Sequence, residues 1–280
     1  MNLILQGLTT ERSTIDRIAA IAAAQRVSVI KPNVYKCEDV HFSAAVKAEV
    51  EAESLPAKLD ATFIEADRTL ADFKLLVMDM DSTLITIECI DEIADMQGLK
   101  PQVAKITEAA MRGEIEFRES LTRRVSLLKG LDAAALQRVY DERAQLSPGA
   151  ETMLAAIRAA GLKTLLVSGG FTFFTDRMKA RLGLDYTHAN VLEVADGKLT
   201  GRVVGGIVDA DEKQRTVERV CAEMGISPRA AIVMGDGAND LKMMGIAGLS
   251  VAFRAKPVVR AQAHVALNFV GLDGVLALFH

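Results

Sequence analysis

The apolar positions of this chain fall into two rhythms. Over residues 1–70 short mixed segments follow one another: "NLILQGL" predicts a strand, and "TERSTIDRIAAIAAAQR" a helix opened by Thr10 or Ser13. Two more runs, "VSVIKPNVYKC" and "VHFSAAVKAEV", read as strands, and "LPAKLDATFIEADRTL" as a helix leading to the strand at Lys74. That β-α-β-β-α order predicts a small α+β module with a boundary near Ala71. From Lys74 onward strands alternate with helices, the pattern of a parallel α/β sheet. Three runs are hydrophobic along their length, as strands covered on both faces are. "KLLVMD" ends in Asp79, "LKTLLVSGG" in Ser168 and two glycines, and "RAAIVMGDGAND" in Gly235-Asp236. Ligands of open parallel sheets bind at the carboxyl ends of the strands, so these polar clusters are expected to converge. Residues 86–146 read as almost wholly helical and, inserted directly after the first of the three strands, predict a lid over that edge. Farther on, "NVLEVADGKLTGRVVGG" alternates about Asp196-Gly197, a hairpin signal.

Composition narrows the classes of function. The 280 residues, half of them hydrophobic, suffice for one large domain or two smaller ones. No stretch approaches the ~18 uninterrupted apolar residues of a membrane span. The N-terminus meets Thr9 and Glu11 with no basic segment before them, so no signal peptide is expected. Cys37, Cys89 and Cys221 are odd in number and widely spaced, which predicts neither a disulfide framework nor a zinc cluster. Together these features predict a cytoplasmic protein. The net charge of −4, with both signs mixed and no basic stripe, argues against nucleic acid as a partner. His41, His188, His264 and His280 show no ligand spacing.

The candidate chemistry begins at "LLVMDMDSTL", where an apolar strand runs into Asp79 and Asp81. Two carboxylates this close repel, and burying either one unpaired is costly. They read as solvated turn residues, as half of a divalent-cation site, or as a nucleophile with its acid/base partner. The other clusters bear on the choice. "GDGAND" supplies Asp236, Asn239 and Asp240, "SGG" a hydroxyl and amides near a helix N-terminus, and Lys213 a fixed positive charge.

In order, "DMDST", "SGG", Lys213 and "GDGAND" resemble the four motifs of the haloacid dehalogenase-like phosphatases, over residues 74–280. "DSTLITIECIDEIA", "MRGEIEFRESLTRRVSLLKG" and "VSGGFTFFTDRM" are similar to the branch of that family that makes serine from O-phosphoserine, the last step of serine biosynthesis. The resemblance implies an α/β fold: a Rossmann-like parallel-sheet core domain at 71–280 with a helical cap at about 86–146, plus an ACT-like α+β domain at 1–70. It implies Asp79 as the nucleophile of an aspartyl-phosphate mechanism and Asp81 as acid and then base. Mg²⁺ is expected on the Asp79 carboxylate, the Asp81 backbone carbonyl and Asp236, with Asp240 and Asn239 in support and Asn239 also touching phosphate. Lys213, Ser168 and the Gly169 amide are expected on the phosphoryl oxygens. Arg124 would read the α-carboxylate and Glu88 the α-ammonium, with Met111 and Phe117 as the apolar wall of the lid. An alternative is a related phosphatase or phosphotransferase acting on another small phosphorylated metabolite. A non-catalytic receiver module also carries a phosphoacceptor aspartate, but needs neither Asp81 nor a helical lid. The N-terminal module would bind serine as a feedback ligand or form a homodimer interface. Because every expected catalytic residue follows Lys74, removing residues 1–70 is expected to leave the chemistry largely intact.

Overall fold

A computed structural model describes residues 1–111 and 114–280, with the backbone alone of Met111; the Met111 side chain expected in the lid wall lies outside the described residues. The N-terminal part runs β1 (Asn2–Gly7), α1 (Arg12–Ile21), β2 (Arg26–Lys31), β3 (Val34–Glu38), α2 (Ala44–Ser54) and β4 (Leu59–Ile64). Its antiparallel sheet has the order β2-β3-β1-β4, which with β-α-β-β-α-β connectivity is a ferredoxin-like arrangement.

Two elements differ from the sequence reading. The run at 40–50, where a strand is expected, instead leads into α2. Ser43 accepts a hydrogen bond from the Val46 amide at 3.2 Å, and the Ala, Lys and Glu that follow are good helix formers. Conversely, the helix expected over 55–70 is replaced by β4, which pairs with β1 from Asn2↔Ile64 to Gly7↔Leu59. There the gain from completing the sheet overrides a local helical preference. Helix α1 is preceded by Glu11, whose side chain makes no cap hydrogen bond, rather than opened by Thr10 or Ser13.

The main sheet is built from β5 (Leu75–Met78), β6 (Lys163–Phe171), β7 (Tyr186–Ala195), β8 (Lys198–Val204), β9 (Ala231–Gly235), β10 (Leu249–Phe253) and β11 (Val265–Leu267). Its order is β11-β10-β9-β5-β6-β7-β8, parallel except for the antiparallel hairpin partner β8. Side chains of the central strand alternate, as the period of two requires. Leu76 and Met78 join one core cluster with helices α7 (Ala150–Ala159) and α8 (Thr172–Leu182), through Met153, Ile157, Phe174 and Met178. Leu75 and Val77 join the other with α9 (Ala210–Glu223) and α10 (Leu241–Ile246), through Val217, Val220, Met243 and Met244. A last short helix, α11 (Pro257–Arg260), lies between β10 and β11.

The expected lid is present as α3 (Cys89–Asp95), α4 (Lys100–Met111), α5 (Phe117–Ser126) and α6 (Ala134–Arg143). Its apolar residues Ile90, Ile93, Leu121, Val125, Leu136 and Val139 are buried in the same cluster as one face of the sheet. Arg143 on α6 pairs with Glu92 and, at 2.6 Å, with Asp95 on α3. Backbone bonds from Gly130 to Leu199 and from Leu199 back to Leu131, each 2.8 Å, join the lid to the β7–β8 hairpin.

The N-terminal module is fastened to the rest. Leu3 and Leu5 face its own helices, whereas Ile4, Val34 and Ile64 enter the main core with Val270 and Leu272. Buried Asp60 on β4 accepts hydrogen bonds from the amides of Asn268 (2.7 Å), Phe269 (3.0 Å) and Val270 (3.1 Å) and from Asn268 Nδ2 (3.1 Å). Removal of residues 1–70 leaves the catalytic side chains in sequence but exposes apolar surface and strands three amides, so the shortened chain is expected to lose stability. Among the described residues no helix is long and apolar enough to cross a membrane. Replacing Asp60 by Ala should lower stability by about 2–4 kcal/mol in urea denaturation, the cost of orphaning several buried donors, while kcat is unchanged at a temperature where the variant is folded. An unshifted midpoint would show that the clamp carries no stability.

Candidate active site

Strand register brings the polar clusters to one edge. Met78 lies beside Leu166 on β6 and beside Met234 on β9. Asp79, Ser168 and Asp236 thus follow that shared row by one or two residues. Beyond β5 the chain turns sharply, with Ser82 at a φ of 56°, and Asp81, just before that residue, accepts the Cys89 amide at the start of the lid. A Cβ on Gly170 would lie 3.0 Å from Ser168 Oγ and 3.1 Å from Asp81 Oδ2, so the close approach of β6 to this turn requires a residue without a side chain.

Lys213 is fully buried in the first turns of α9, a helix begun by Asp209, whose carboxylate accepts the Glu212 amide at 2.9 Å. Its Nζ donates to Asp79 Oδ1 and to Asp240 Oδ1, both at 2.7 Å. The other oxygen of Asp240 accepts the Gly237 amide at 3.1 Å. Burial alone would lower the lysine pKa, but Asp240 and Asp79 outweigh it and hold the ammonium above its ordinary value. Asp79, Asp236 and Asp240 each bring a carboxylate oxygen within 4.8 Å of the others. Among the described residues Lys213 is the one ammonium in ion-pair contact with this trio, so the carboxyl groups outnumber the ammonium. Asp79 is pushed upward chiefly by burial, against the pull of Lys213. Asp236 is raised to about 7, by burial first and then by Asp240 and Glu88. Both oxygens of Asp240 are already engaged, by Lys213 and the Gly237 amide, and the grouped carboxylates are hard oxygen donors of the kind that Mg²⁺ takes.

Asp81 stands apart from this cluster. Its Oδ2 accepts the Cys89 amide at 3.2 Å, and its Oδ1 is buried with no partner among the described residues. Burial, then the neighbouring Glu88, raises its pKa to about 7. Ser168 Oγ accepts the Gly170 amide at 2.8 Å, which leaves the hydroxyl proton to donate elsewhere.

Between these groups and the lid lies a cavity of about 870 Å³. Asp79, Asp81, Ser168, Gly169, Asp236 and Asn239 form its floor, and Glu88, Phe117 and Arg124 line its lid side. Lys213 and Asp240 lie buried beneath the floor. Phe117 presses on the SGG turn, with its Cζ 3.1 Å from where a Cβ on Gly169 would stand. Exposed Glu88 accepts the Ser82 hydroxyl at 2.6 Å. Across the mouth Arg118 on α5 pairs with Asp209 through Nε at 2.6 Å and Nη2 at 2.5 Å.

Apart from Met111, the structure brings every sequence-derived candidate into this region. Several residues went unnoticed. Asp91 lies in the first turn of α3, three positions after Glu88, which precedes the helix in extended conformation. Thr107 and the Arg118–Asp209 pair gave no signal, because the partners in that pair are 91 residues apart.

A model of the haloacid dehalogenase-like hydrolases matches residues 73–248. A phosphoserine phosphatase of Polaromonas sp. is 60% identical over 217 residues, 76% of this chain and 92% of that protein. A probable phosphoserine phosphatase of Vibrio cholerae superposes with a TM-score of 0.84 at 36% identity, over 99% of this chain and 86% of that one. A phosphoserine phosphatase solved as an analogue of its phospho-aspartyl intermediate superposes at 0.70 and 39% identity, covering 74% of this chain and 99% of that one.

Removing the buried ammonium tests the charge balance. Lys213→Ala should lose about 3–5 kcal/mol of stability in chelator, the usual cost of breaking a buried ion pair, and recover part of it with millimolar Mg²⁺. Urea denaturation checks both; a loss below about 1 kcal/mol, in the range of an ordinary surface substitution, would contradict it.

Proposed function

The chain belongs to the haloacid dehalogenase-like hydrolases, and from that premise we propose that it is a Mg²⁺-dependent phosphoserine phosphatase, converting O-phospho-L-serine to L-serine and phosphate. One observation carries the reading: a single cavity is lined both by Asp79, Asp81 and Asp236 on its floor and by Arg124 in the lid. The floor suits a phosphoryl group, and the guanidinium above it suits the substrate carboxylate, which it can grip with two donors. The likeness to phosphoserine phosphatases over most of the chain supports the same substrate.

The roles follow from the contacts. Phosphoryl transfer needs alignment and charge neutralisation more than a strong nucleophile, so a carboxylate suffices. Lys213 orients Asp79, and the Asp79 carboxylate attacks phosphorus. The P–O bond to serine breaks, and Asp81, protonated near neutral pH, gives its proton to the departing alkoxide. A water then attacks the aspartyl-phosphate, Asp81 takes a proton from it, and phosphate leaves with Asp79 restored. Ser168 and the Gly169 amide donate to phosphoryl oxygens, and Asn239 lies within the same floor. Asp79, Asp236 and the Asp81 carbonyl would hold Mg²⁺, which would supply positive charge to the phosphoryl oxygens. Glu88 lies on the lid side for the substrate ammonium, with its orientation fixed by Ser82. Phe117 excludes water over the SGG turn.

Rapid acid quench with ³²P-labelled phosphoserine should trap phosphate on Asp79 of the Mg²⁺-loaded enzyme, and Asp79→Asn should carry none and turn over none. Label on another residue would overturn the nucleophile assignment. A second test uses the charge that raises Asp81. The phosphorylation step needs Asp81 protonated, so its rate falls as pH rises through about 7. Since Glu88 contributes to that elevation, Glu88→Gln should move the falling limb to lower pH in single-turnover assays; a limb that stays or moves upward would contradict the assignment.

A further inference from the structure

Two complementary atoms in the lid have no partner. Oδ1 of Asp91 on α3 is a buried acceptor, and Nε of Arg124 on α5 is a buried donor; neither makes a hydrogen bond among the described residues. Both residues line the active-site cavity. Buried polar groups left unsatisfied cost roughly 1–3 kcal/mol each, so two facing one space call for an arrangement that satisfies both.

The neighbouring charges are already engaged. Arg143 takes Glu92 and Asp95, and Lys100 lies 3.7 Å from Glu92. Glu88 receives Ser82. Among the acids acting on Arg124, Asp91 acts most strongly, and one of its oxygens is buried and unpaired among the described residues. Burial pushes its carboxyl upward, and Arg124 is the strongest charge drawing it back. Asp91 is likewise the nearest in effect of the acids that favour the charged guanidinium against its burial.

We propose that Asp91 is the positioning residue for Arg124: when substrate seats, Asp91 Oδ1 accepts the Nε–H and turns both terminal nitrogens of the guanidinium toward the substrate carboxylate. The inference rests on the phosphoserine reading and assigns that reading a selectivity device. A guanidinium free to rotate about its stem would meet the carboxylate with one donor; held at Nε it presents two in a fixed plane.

The test compares O-phospho-L-serine with O-phosphoethanolamine, which keeps the phosphate and ammonium but lacks the carboxylate, using the full-length Mg²⁺-loaded enzyme. Asp91→Ala should lower kcat/KM for phosphoserine roughly 10- to 100-fold, the worth of a charge-assisted hydrogen bond, mostly through KM, and change phosphoethanolamine less than about 2-fold. Asp91→Asn, nearly isosteric and still carrying an acceptor oxygen, should recover most of the loss. In an Arg124→Lys background, which has no Nε, Asp91→Ala should have little further effect on phosphoserine. Equal losses on both substrates, no loss on phosphoserine, or an undiminished effect in the Arg124→Lys background would overturn the proposal. If the unaltered enzyme fails to prefer phosphoserine over phosphoethanolamine, the phosphoserine reading itself falls, and this inference with it; a preference that ignores Asp91 defeats the inference alone.

Discussion

Lys213 reaches from the start of α9 into the space between Asp79 and Asp240 and donates to each at 2.7 Å, with no exposure to solvent. Everything at the carboxyl edge of the sheet depends on this contact. Asp79 follows the central strand, Asp240 belongs to the turn after β9, and Lys213 is carried by a helix on the opposite side of the sheet from the lid. One ammonium therefore ties three separate crossovers together at a point where each would otherwise place an isolated charge in a dry site. It also leaves the cluster short of positive charge. Three carboxylates share one ammonium, and the oxygens that Lys213 and the Gly237 amide do not occupy face the cavity. The stability problem and the capacity to hold a divalent cation beside a phosphoryl group are the same electrostatic fact seen from two sides.

Asp79 and Asp81 are separated by one residue yet have different surroundings. Asp79 touches a permanent cation. Asp81 touches an amide and faces Glu88, so two carboxyls that burial raises alike meet different neighbours. Separation of two nearby carboxyls by environment is what a nucleophile and an acid/base partner need. The turn with Ser82 in the left-handed region achieves it by swinging Asp81 away from the lysine and toward the lid. The lid thereby has two parts in the chemistry: it contributes the charge that keeps Asp81 near neutrality, and it supplies the guanidinium that recognises what is attached to the phosphate.

Much of the site was legible in the chain because its chemistry is concentrated at strand ends. Apolar runs that stop abruptly at Asp79, Ser168 and Asp236 mark buried parallel strands, and parallel pairing places their carboxyl ends together whatever the helices between them do. The lid was legible as an uninterrupted helical stretch following the first of those strands. The N-terminal module was read less well. Helix α2 follows from its Ser43 cap and its Ala, Lys and Glu residues despite its spaced valines, whereas pairing with β1 decides the matter for the alanine- and aspartate-bearing strand β4. The Asp60 clamp to residues 268–270 joins positions more than 200 apart and carries no local signature.

The sequence by itself determined which residues could perform phosphoryl transfer and in what order they occur, because that chemistry requires particular functional groups next to breaks in hydrophobic runs. Tertiary structure alone decided how those groups are charged and which of them touch. That Asp240 is consumed by Lys213 and an amide while Asp236 remains open, that Glu88 is tied to Ser82, and that Asp91 lines the cavity with Arg124 all depend on distances between elements far apart in the chain. The physical reason is that hydrophobic pattern is local and repeats with the period of each element, whereas Coulomb interactions and desolvation depend on the environment that the whole packed fold creates.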